Sequence, residues 1–127
     1  VALADLREPE LARTAANVRA GVGEAAALVI DLGRLDVVLN NAGVGAMVVG
    51  GTVESIALEH WDLVQRVNVR AIYLVCRATV PHMRASGGAI VNTASVSAFH
   101  SSVQRPSHAY AASKGAVLAL TRAMAAS

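Results

Sequence analysis

The sequence predicts an α/β fold, in which a partial, doubly wound parallel sheet is flanked by helices. Valine-rich runs alternate along the chain with alanine-rich amphipathic stretches, which is typical of strands that alternate with helices. Hydrophobic residues make up 54% of the sequence and charged residues 16%, a balance that favours a buried core over disorder. The chain opens within a predicted strand and stops within a predicted helix. We therefore expect residues 1–127 to form one incomplete domain.

Two strands and one helix are predicted in the first third of the chain. We interpret Val1–Asp5 as a short buried strand that ends in a carboxylate. Glu8-Pro-Glu10 marks a helix start, because proline suits the first turn and acids suit the positive end of the helix dipole. Gly21 ends this helix. The run from Ala25 to Leu32 again has strand character.

The glycines between these elements are interpreted as a loop. Gly21-Val-Gly-Glu-Ala-Ala26 matches the G-x-G-x-x-A spacing of the dinucleotide fingerprint. That fingerprint follows a strand and opens a helix, whereas this match follows a predicted helix and precedes a predicted strand. We therefore reject it as a phosphate-binding turn.

The remainder of the chain predicts two more strands and two helices. Asp36–Gly43 is a buried-strand pattern that runs into an Asn-Asn-Ala-Gly turn and a glycine-rich loop. The longest helical pattern extends from Glu59 to about Thr79, and Pro81 closes it. Ala89–Ser95 is another buried-strand pattern, and a polar loop leads from it into the last helix.

Asn68 interrupts the apolar side of the longest predicted helix. The other residues of that side are Trp61, Val64, Ile72 and Val75. A buried asparagine without hydrogen-bond partners costs about 1–3 kcal/mol. We therefore expect partners on both of its amide atoms.

Polar residues end each of the four predicted strands. They are Asp5, Asp31, Asn40 and Ser95. In an open parallel sheet, ligands bind outside the carboxyl ends of the strands. The sequence therefore predicts a ligand site along this edge of the sheet.

Tyr110 and Lys114 lie four residues apart where the last predicted helix begins, within Ser107–Gly115. That spacing places the phenol and the ammonium on one helical face, one turn apart. A nearby positive charge favours the phenolate, the form that a general base requires. Such pairs are common on helix surfaces, so this pair indicates a catalytic site only if the surrounding residues support one.

Composition and spacing argue against several other classes of protein. A net charge of +2 with no basic cluster gives no reason to expect nucleic-acid binding. The single cysteine, Cys76, and the four histidines have no disulfide or metal-ligand spacing, so we expect no metal. Ser95, His100 and His108 lack the G-x-S-x-G elbow of many serine hydrolases. No apolar run approaches the length of a membrane span, and we expect a cytoplasmic protein.

Four motifs together resemble the short-chain dehydrogenase/reductase family. They are Asn40-Asn-Ala-Gly43, Val67-Asn-Val69, Ala94-Ser-Val96 and Tyr110-Ala-Ala-Ser-Lys114, in the family's order and at nearly its spacings. The resemblance covers essentially the whole chain. It implies a Rossmann-like NAD(P)-binding domain and an oxidoreductase that transfers a hydride between NAD(P) and an alcohol or ketone.

The resemblance also implies roles for four catalytic candidates. Tyr110 would be the general acid/base for the substrate oxygen. Lys114 would favour its phenolate and bind the nicotinamide ribose. Ser95 would orient the substrate oxygen, and Asn68 would hold a water in the proton relay to Lys114. On the cofactor side Asn40 would line the site, with Ala42 and Gly43 leaving room for the cofactor.

The first third of the chain can be aligned with the family in two ways. In the first alignment, Val1–Asp5 and the run from Ala25 to Leu32 are the family's second and third strands. In the second, the chain starts at the end of the third strand and residues 9–33 form one long helix. We favour the first, because the two glycines would cost that helix about 1 kcal/mol each.

The first alignment bears on the choice of cofactor. Asp5 would accept hydrogen bonds from the adenosine ribose, which slightly favours NAD over NADP. Asp31 and Leu32 would flank the adenine. Arg7 weakens this preference, because a nearby arginine can accommodate a 2′-phosphate.

Two parts of the family's pattern do not occur in this sequence, namely the glycine-rich phosphate-binding turn and the segment after the Tyr–Lys helix. We therefore expect the chain alone to bind dinucleotide poorly. The alternative is a catalytically incompetent fragment that acts only as a structural or oligomerisation module. A stripe of small residues would let another helix pack closely: Ala112, Ala116, Ala119 and Ala123. For the complete protein, the resemblance implies a homodimer or homotetramer.

Overall fold

The computed structural model describes residues 2–5, 26–29 and 35–127. The chain divides into two compact units, residues 1–35 and residues 36–127. Several predicted features lie outside the described residues: the helix between Glu8 and Gly21, Arg7, Asp31 and Leu32.

In the first unit, two short strands pair in parallel. Strand β1 is Ala2–Asp5 and strand β2 is Ala26–Val29, with Ala2 opposite Ala26 and Asp5 opposite Val29. Both strands were predicted, with slightly wider bounds. The alternative of one helix over residues 9–33 is wrong, because β2 lies within that range and pairs with β1.

In the second unit, β3 (Val37–Asn40) and β4 (Ala89–Asn92) form another parallel pair. Their register sets Val37 opposite Ala89 and Asn40 opposite Asn92, so both strands end at the same edge. A parallel pair requires a long crossover, and the chain between these strands supplies it with a helix. Both strands confirm the sequence prediction.

The crossover helix runs without a break from Leu58 to Met83, in three parts. Helix α1 is Leu58–Gln65, a π-helical segment follows at Arg66–Arg70, and α2 is Ala71–Met83. At the end of the π segment, the N–H of Ala71 donates to the carbonyl of Arg66, five residues back. The helix continues four residues beyond the predicted end at about Thr79, because Pro81 in the last turn removes only one backbone donor.

The last helix, α3, is His108–Ala125, and it confirms the helix predicted from Ser107 onward. A single 3-10 turn at Val96–Ala98 lies between β4 and α3. Ser95 caps this turn, since its hydroxyl accepts a hydrogen bond from the N–H of Ser97 at 3.1 Å. The 3-10 turn packs against α3.

Two apolar clusters form the core of the second unit, and α3 contributes to both. The first cluster consists of Val49, Val64 and Ala109 with partly buried neighbours that include Trp61. The second consists of Ile72, Cys76 and Val117 with partly buried neighbours that include Ile90. The start of α3 therefore packs on α1 and the loop after β3, and its later turns pack on α2 and β4.

Only one face of the β3–β4 pair is covered within residues 36–127. Val38 and Asn40 are buried, whereas Val37 and Leu39 are 60% and 64% exposed. Val91 of β4 is also exposed. The sequence predicts buried strands, and within this unit only one face of each is buried, because α2 and α3 pack on one side of the pair. Among the described residues, no helix is long and apolar enough to cross a membrane.

Candidate active site

Tyr110 and Lys114 occupy the first turns of α3 and lie side by side. The Lys114 ammonium nitrogen is 5.7 Å from the centroid of the Tyr110 ring. Lys114 is only 4% exposed, and its Nζ donates a 2.6 Å hydrogen bond to the carbonyl oxygen of Thr93, just beyond β4. A buried ammonium is therefore held at one position beside the phenol, on the helical face that the spacing predicts.

Asn68 lies in the π-helical segment and is fully buried. Its Oδ1 accepts from the N–H of Val44 at 2.7 Å, and its Nδ2 donates to the carbonyl of the same residue at 3.0 Å. The second Nδ2 hydrogen goes to the hydroxyl of Ser113, also at 3.0 Å. Both amide atoms have partners, as the sequence analysis expected. The pair of bonds to Val44 fixes which amide atom is oxygen.

Ser113 connects Asn68 to the backbone of α3 at Tyr110. It is fully buried, and its hydroxyl accepts from Asn68 while donating to the carbonyl of Tyr110 at 2.7 Å. Ser113 was not among the predicted site residues. Its position directly before Lys114, in an otherwise apolar and alanine-rich stretch, is the signal that was available.

Gly43 lies against both Asn68 and Lys114. A β-carbon on Gly43 would come within 3.3 Å of Asn68 Oδ1 and 3.8 Å of Lys114 Nζ. The absence of a side chain therefore keeps the space beside the ammonium open. Ala42, the preceding residue, is exposed where the loop leaves β3.

Asn40 is part of a buried polar network at the ends of β3 and β4. Its Nδ2 donates to Asn92 Oδ1 at 2.8 Å and to the Cys76 sulfur at 3.6 Å. Asn92 in turn donates to Thr121 Oγ1 at 2.9 Å. Burial raises the pKa of the Cys76 thiol, and the hydrogen bond from Asn40 opposes part of that rise. The network ties both strands to α2 and α3.

The loop after β3 is also joined to the start of α3. The N–H of Gly51 donates to the carbonyl of Pro106 at 2.9 Å, and the N–H of His108 donates to the carbonyl of Gly51 at 3.1 Å. The Nδ1 of His108 accepts from the N–H of Val53 at 3.0 Å. These bonds hold the glycine-rich loop beside the helix that carries Tyr110.

Comparison with known proteins decides the family. The short chain dehydrogenase family matches residues 7–127. The chain belongs to the short-chain dehydrogenase family. The dehydrogenase motifs on which the sequence analysis rested are therefore those of its own family, and the resemblance drawn there is confirmed.

Two curated relatives illustrate the match. The chain is 45% identical over 101 residues to the 2-(R)-hydroxypropyl-CoM dehydrogenase of Xanthobacter autotrophicus, covering 79% of this chain and 40% of that protein. It is 42% identical over 94 residues to the meso-2,3-butanediol dehydrogenase of Serratia marcescens, covering 74% of this chain and 36% of that protein. The short-chain dehydrogenase chain thus spans about two fifths of these relatives.

Solved structures confirm the fold class, a partial, doubly wound, Rossmann-like parallel sheet with flanking helices. A short-chain dehydrogenase/reductase from Burkholderia phymatum in complex with NAD matches with a TM-score of 0.65 and 33% identity, covering 97% of this chain and 49% of that chain. A gluconate 5-dehydrogenase from Burkholderia cenocepacia in complex with NADP and tartrate matches with a TM-score of 0.69 and 28% identity, covering 98% of this chain and 54% of that chain. Because one neighbour holds NAD and the other NADP, the comparisons do not support the predicted preference for NAD.

The structure brings four of the predicted site residues together within the second unit. Gly43, Asn68, Tyr110 and Lys114 form one contiguous group through the contacts described above. Asn40 lies within the polar network, and Ser95 caps the 3-10 turn that packs against α3. Asp5 ends β1 in the first unit. Across the described residues, no group of three or more His, Cys, Asp or Glu side chains could hold a metal ion.

Proposed function

We propose that the protein carrying this chain is an NAD(P)-dependent oxidoreductase that transfers a hydride between NAD(P) and an alcohol or ketone. The observation that carries this proposal is the buried Lys114 ammonium, held by Thr93 beside the Tyr110 ring. In the proposed reaction, the Lys114 ammonium would stabilise the negative charge that develops on the phenol oxygen. Tyr110 is therefore the general acid/base of the proposed reaction.

In alcohol oxidation, the Tyr110 phenolate takes the proton of the substrate hydroxyl while the carbinol hydrogen leaves as hydride, and the product is a ketone. The nicotinamide accepts the hydride when it is bound, so the protein needs only to orient the reactants and move one proton. Ser95 orients the substrate oxygen. In the reverse direction, the phenol of Tyr110 returns the proton to the forming alkoxide.

The residues present fit the nicotinamide side of such a cofactor. Lys114 Nζ carries three hydrogens, and one of them goes to Thr93. The absence of a side chain at Gly43 leaves space beside this nitrogen for the ribose that Lys114 would bind. Asn40 and Ala42 continue the proposed cofactor side from the end of β3. We assign the adenosine side of the cofactor to Asp5, Asp31 and Leu32. The proposal allows either NAD or NADP as the cofactor.

The geometry refines the role proposed for Asn68. Its Nδ2 gives both hydrogens to Val44 and Ser113, so a relay water bound by this side chain would have to donate to Oδ1. Asn68 also holds the loop that carries Gly43 against the catalytic helix. We therefore assign it a supporting place in the proton relay, between the glycine-rich loop and α3.

An assembly role for α3 is the second candidate. The small-residue stripe is uncovered within the described residues, since Ala112, Ala119 and Ala123 are exposed. Small side chains allow a second helix to approach closely. Pairing of this face with a second copy would produce the homodimer or homotetramer that the resemblance implies, with or without catalysis.

The test compares two tyrosine variants of the protein at its full length. Tyr110→Phe removes the acid/base, and Tyr73→Phe is the matched control, because Tyr73 is a half-exposed tyrosine on α2. The substrates are meso-2,3-butanediol and gluconate, each offered with NAD⁺ and with NADP⁺. We expect Tyr110→Phe to lower kcat by about 10²–10⁴-fold while cofactor binding by calorimetry stays within about twofold.

The control variant should retain wild-type turnover. Undiminished kcat in Tyr110→Phe would overturn the acid/base assignment. Saturable cofactor binding without turnover of either substrate would indicate that the protein acts on a different alcohol. Dimerisation in sedimentation without any cofactor binding would favour the assembly role.

A further inference from the structure

Ser113 stands at the centre of a continuous chain of hydrogen bonds that reaches the catalytic helix. Asn68 Nδ2 donates to Ser113 Oγ at 3.0 Å, and Ser113 Oγ donates to the carbonyl of Tyr110 at 2.7 Å. The two hydrogen bonds run in the same donor-to-acceptor direction, so each bond polarises the next. Ser113 is fully buried, as is Asn68, so neither group can exchange its partner for bulk water.

We propose that Ser113 is a positioning residue that sets where Tyr110 stands relative to Lys114. This inference rests on the proposed function. Its hydroxyl couples the first turn of α3 to the π-helical segment at Asn68, and through Asn68 to the backbone of Val44. Ser113 touches neither substrate nor cofactor in this assignment, and it acts through Tyr110.

The physical reason is that the Lys114 ammonium and the turn of α3 that carries Tyr110 have separate side-chain anchors. The Lys114 ammonium is tied to Thr93 beyond β4, whereas Ser113 ties the helix backbone at Tyr110 to Asn68. Together the two anchors fix where the ammonium lies relative to the phenol. Loss of the Ser113 hydroxyl removes the second anchor and leaves an Asn68 hydrogen without its acceptor, so the first turns of α3 can shift against the π-helical segment.

Thr121 offers a matched control on the same helix. Its hydroxyl accepts from an asparagine amide, that of Asn92, and donates to the carbonyl of Val117 at 2.7 Å. This resembles the arrangement at Ser113, about two turns further along α3 and away from Tyr110, although the Thr121 hydroxyl donates four residues back instead of three and is only partly buried. Thr121→Val therefore removes a comparable pair of hydrogen bonds away from Tyr110 and Lys114, and it reaches the proposed cofactor residue Asn40 only through Asn92.

The experiment uses the full-length protein with meso-2,3-butanediol or gluconate, whichever it oxidises faster, and compares Ser113→Ala, Ser113→Thr and Thr121→Val. We expect Ser113→Ala to lower kcat about 10- to 100-fold while the cofactor Kd and substrate KM change by less than about twofold. Ser113→Thr, which keeps the hydroxyl, should recover most of the lost kcat. Thr121→Val should lower the thermal midpoint as much as Ser113→Ala does and leave kcat unchanged.

The outcomes separate this inference from the proposed function. If Tyr110→Phe turns over normally, or the wild type oxidises no alcohol, the proposed function fails and this inference fails with it. If Tyr110→Phe is inactive but Ser113→Ala keeps wild-type kcat, the positioning role alone is overturned. Equal losses of kcat in Ser113→Ala and Thr121→Val would also overturn it, because destabilisation would then account for both.

Discussion

Asn68 and Val44 are joined by two hydrogen bonds that run in opposite directions. Asn68 Oδ1 accepts from the Val44 N–H at 2.7 Å, and Asn68 Nδ2 donates to the Val44 carbonyl at 3.0 Å. A loop backbone at this position has no strand neighbour to satisfy it, and the asparagine amide supplies both a donor and an acceptor. The glycine-rich loop is thereby held against the π-helical segment.

Asn68→Ala should be strongly destabilising. It removes three hydrogen bonds at a fully buried position and leaves the polar groups of Val44 and Ser113 without their partner. We expect the free energy of unfolding to fall by about 2–4 kcal/mol, measured by urea denaturation. Asn41→Ala is the control, because Asn41 is exposed and accepts one bond, from Thr93 Oγ1, so its loss should stay below about 1 kcal/mol. Equal losses in the two variants would contradict this account.

A methyl group at Gly43 should impair turnover more than folding. A β-carbon there would meet Asn68 Oδ1 at 3.3 Å and Lys114 Nζ at 3.8 Å, so it fills space beside the ammonium that we assign to the cofactor. We expect Gly43→Ala to lower kcat/KM about tenfold or more with a change in unfolding free energy below about 1 kcal/mol.

Gly45→Ala is the control for that substitution. It lies in the same loop, and a β-carbon on it would meet nothing within 4 Å. Steady-state kinetics and urea denaturation of both variants decide the matter. Matching kinetics in the two variants would show that the space beside Lys114 is not used in catalysis.

Local sequence features predicted the elements and the Tyr110–Lys114 face, because helix and strand periodicity are short-range properties. A spacing of four residues suffices to place two side chains on one helical face. The short continuous apolar runs and the small polar residues that follow them likewise bound β3 and β4 closely. The resemblance to the family then implied chemical roles for Asn68, Ser95, Tyr110 and Lys114. Periodicity alone could not have suggested these roles.

The partners of the site residues could not be predicted from such features. Asn68 was expected to have hydrogen-bond partners. Which residues they are depends on the tertiary fold, because Val44 lies in a loop 24 residues earlier in the chain and Ser113 lies in a helix 45 residues later. Ser113 and Asn92 were missed for the same reason, since a serine or asparagine beside apolar residues does not reveal which amide or carbonyl it meets. The π-helical segment was also missed. The structure buries Cys76 where the predicted apolar row has Val75, and a shift of one residue does not distinguish a π segment from a regular helix in the sequence.

Cys76 should behave as an unreactive thiol in the folded protein. It is 4% exposed, and burial raises its pKa above the ordinary value of 9.0, so little thiolate is present near neutral pH. We expect iodoacetamide to modify Cys76 at least about tenfold more slowly in native protein than in urea, followed by mass spectrometry of the peptide that contains it. Equal rates in the two conditions would place the thiol at the surface.

The same pKa shift predicts a loss of stability at alkaline pH. A thiol with a raised pKa in the folded state keeps its proton when the unfolded chain releases it, so this contribution is present below pH 9.0 and is lost as the pH rises through the raised value. Cys76→Ala should therefore show a shallower decline of unfolding free energy between about pH 8 and pH 10 than the wild type. An unchanged slope would assign the alkaline decline to other groups.

Alanine should have opposite effects at Gly51 and Gly115. Gly51 has a φ of +135° and a β-carbon there would meet Ser55 Oγ at 3.1 Å, so Gly51→Ala should cost about 1–3 kcal/mol. Gly115 lies within α3, and a β-carbon there would meet nothing within 4 Å, so Gly115→Ala should add about 0.5–1 kcal/mol through helix propensity. Both values come from one urea denaturation series, with each variant serving as the control for the other. Destabilisation by Gly115→Ala would mean that this face of α3 is covered in the full-length protein, as close pairing with a second helix requires.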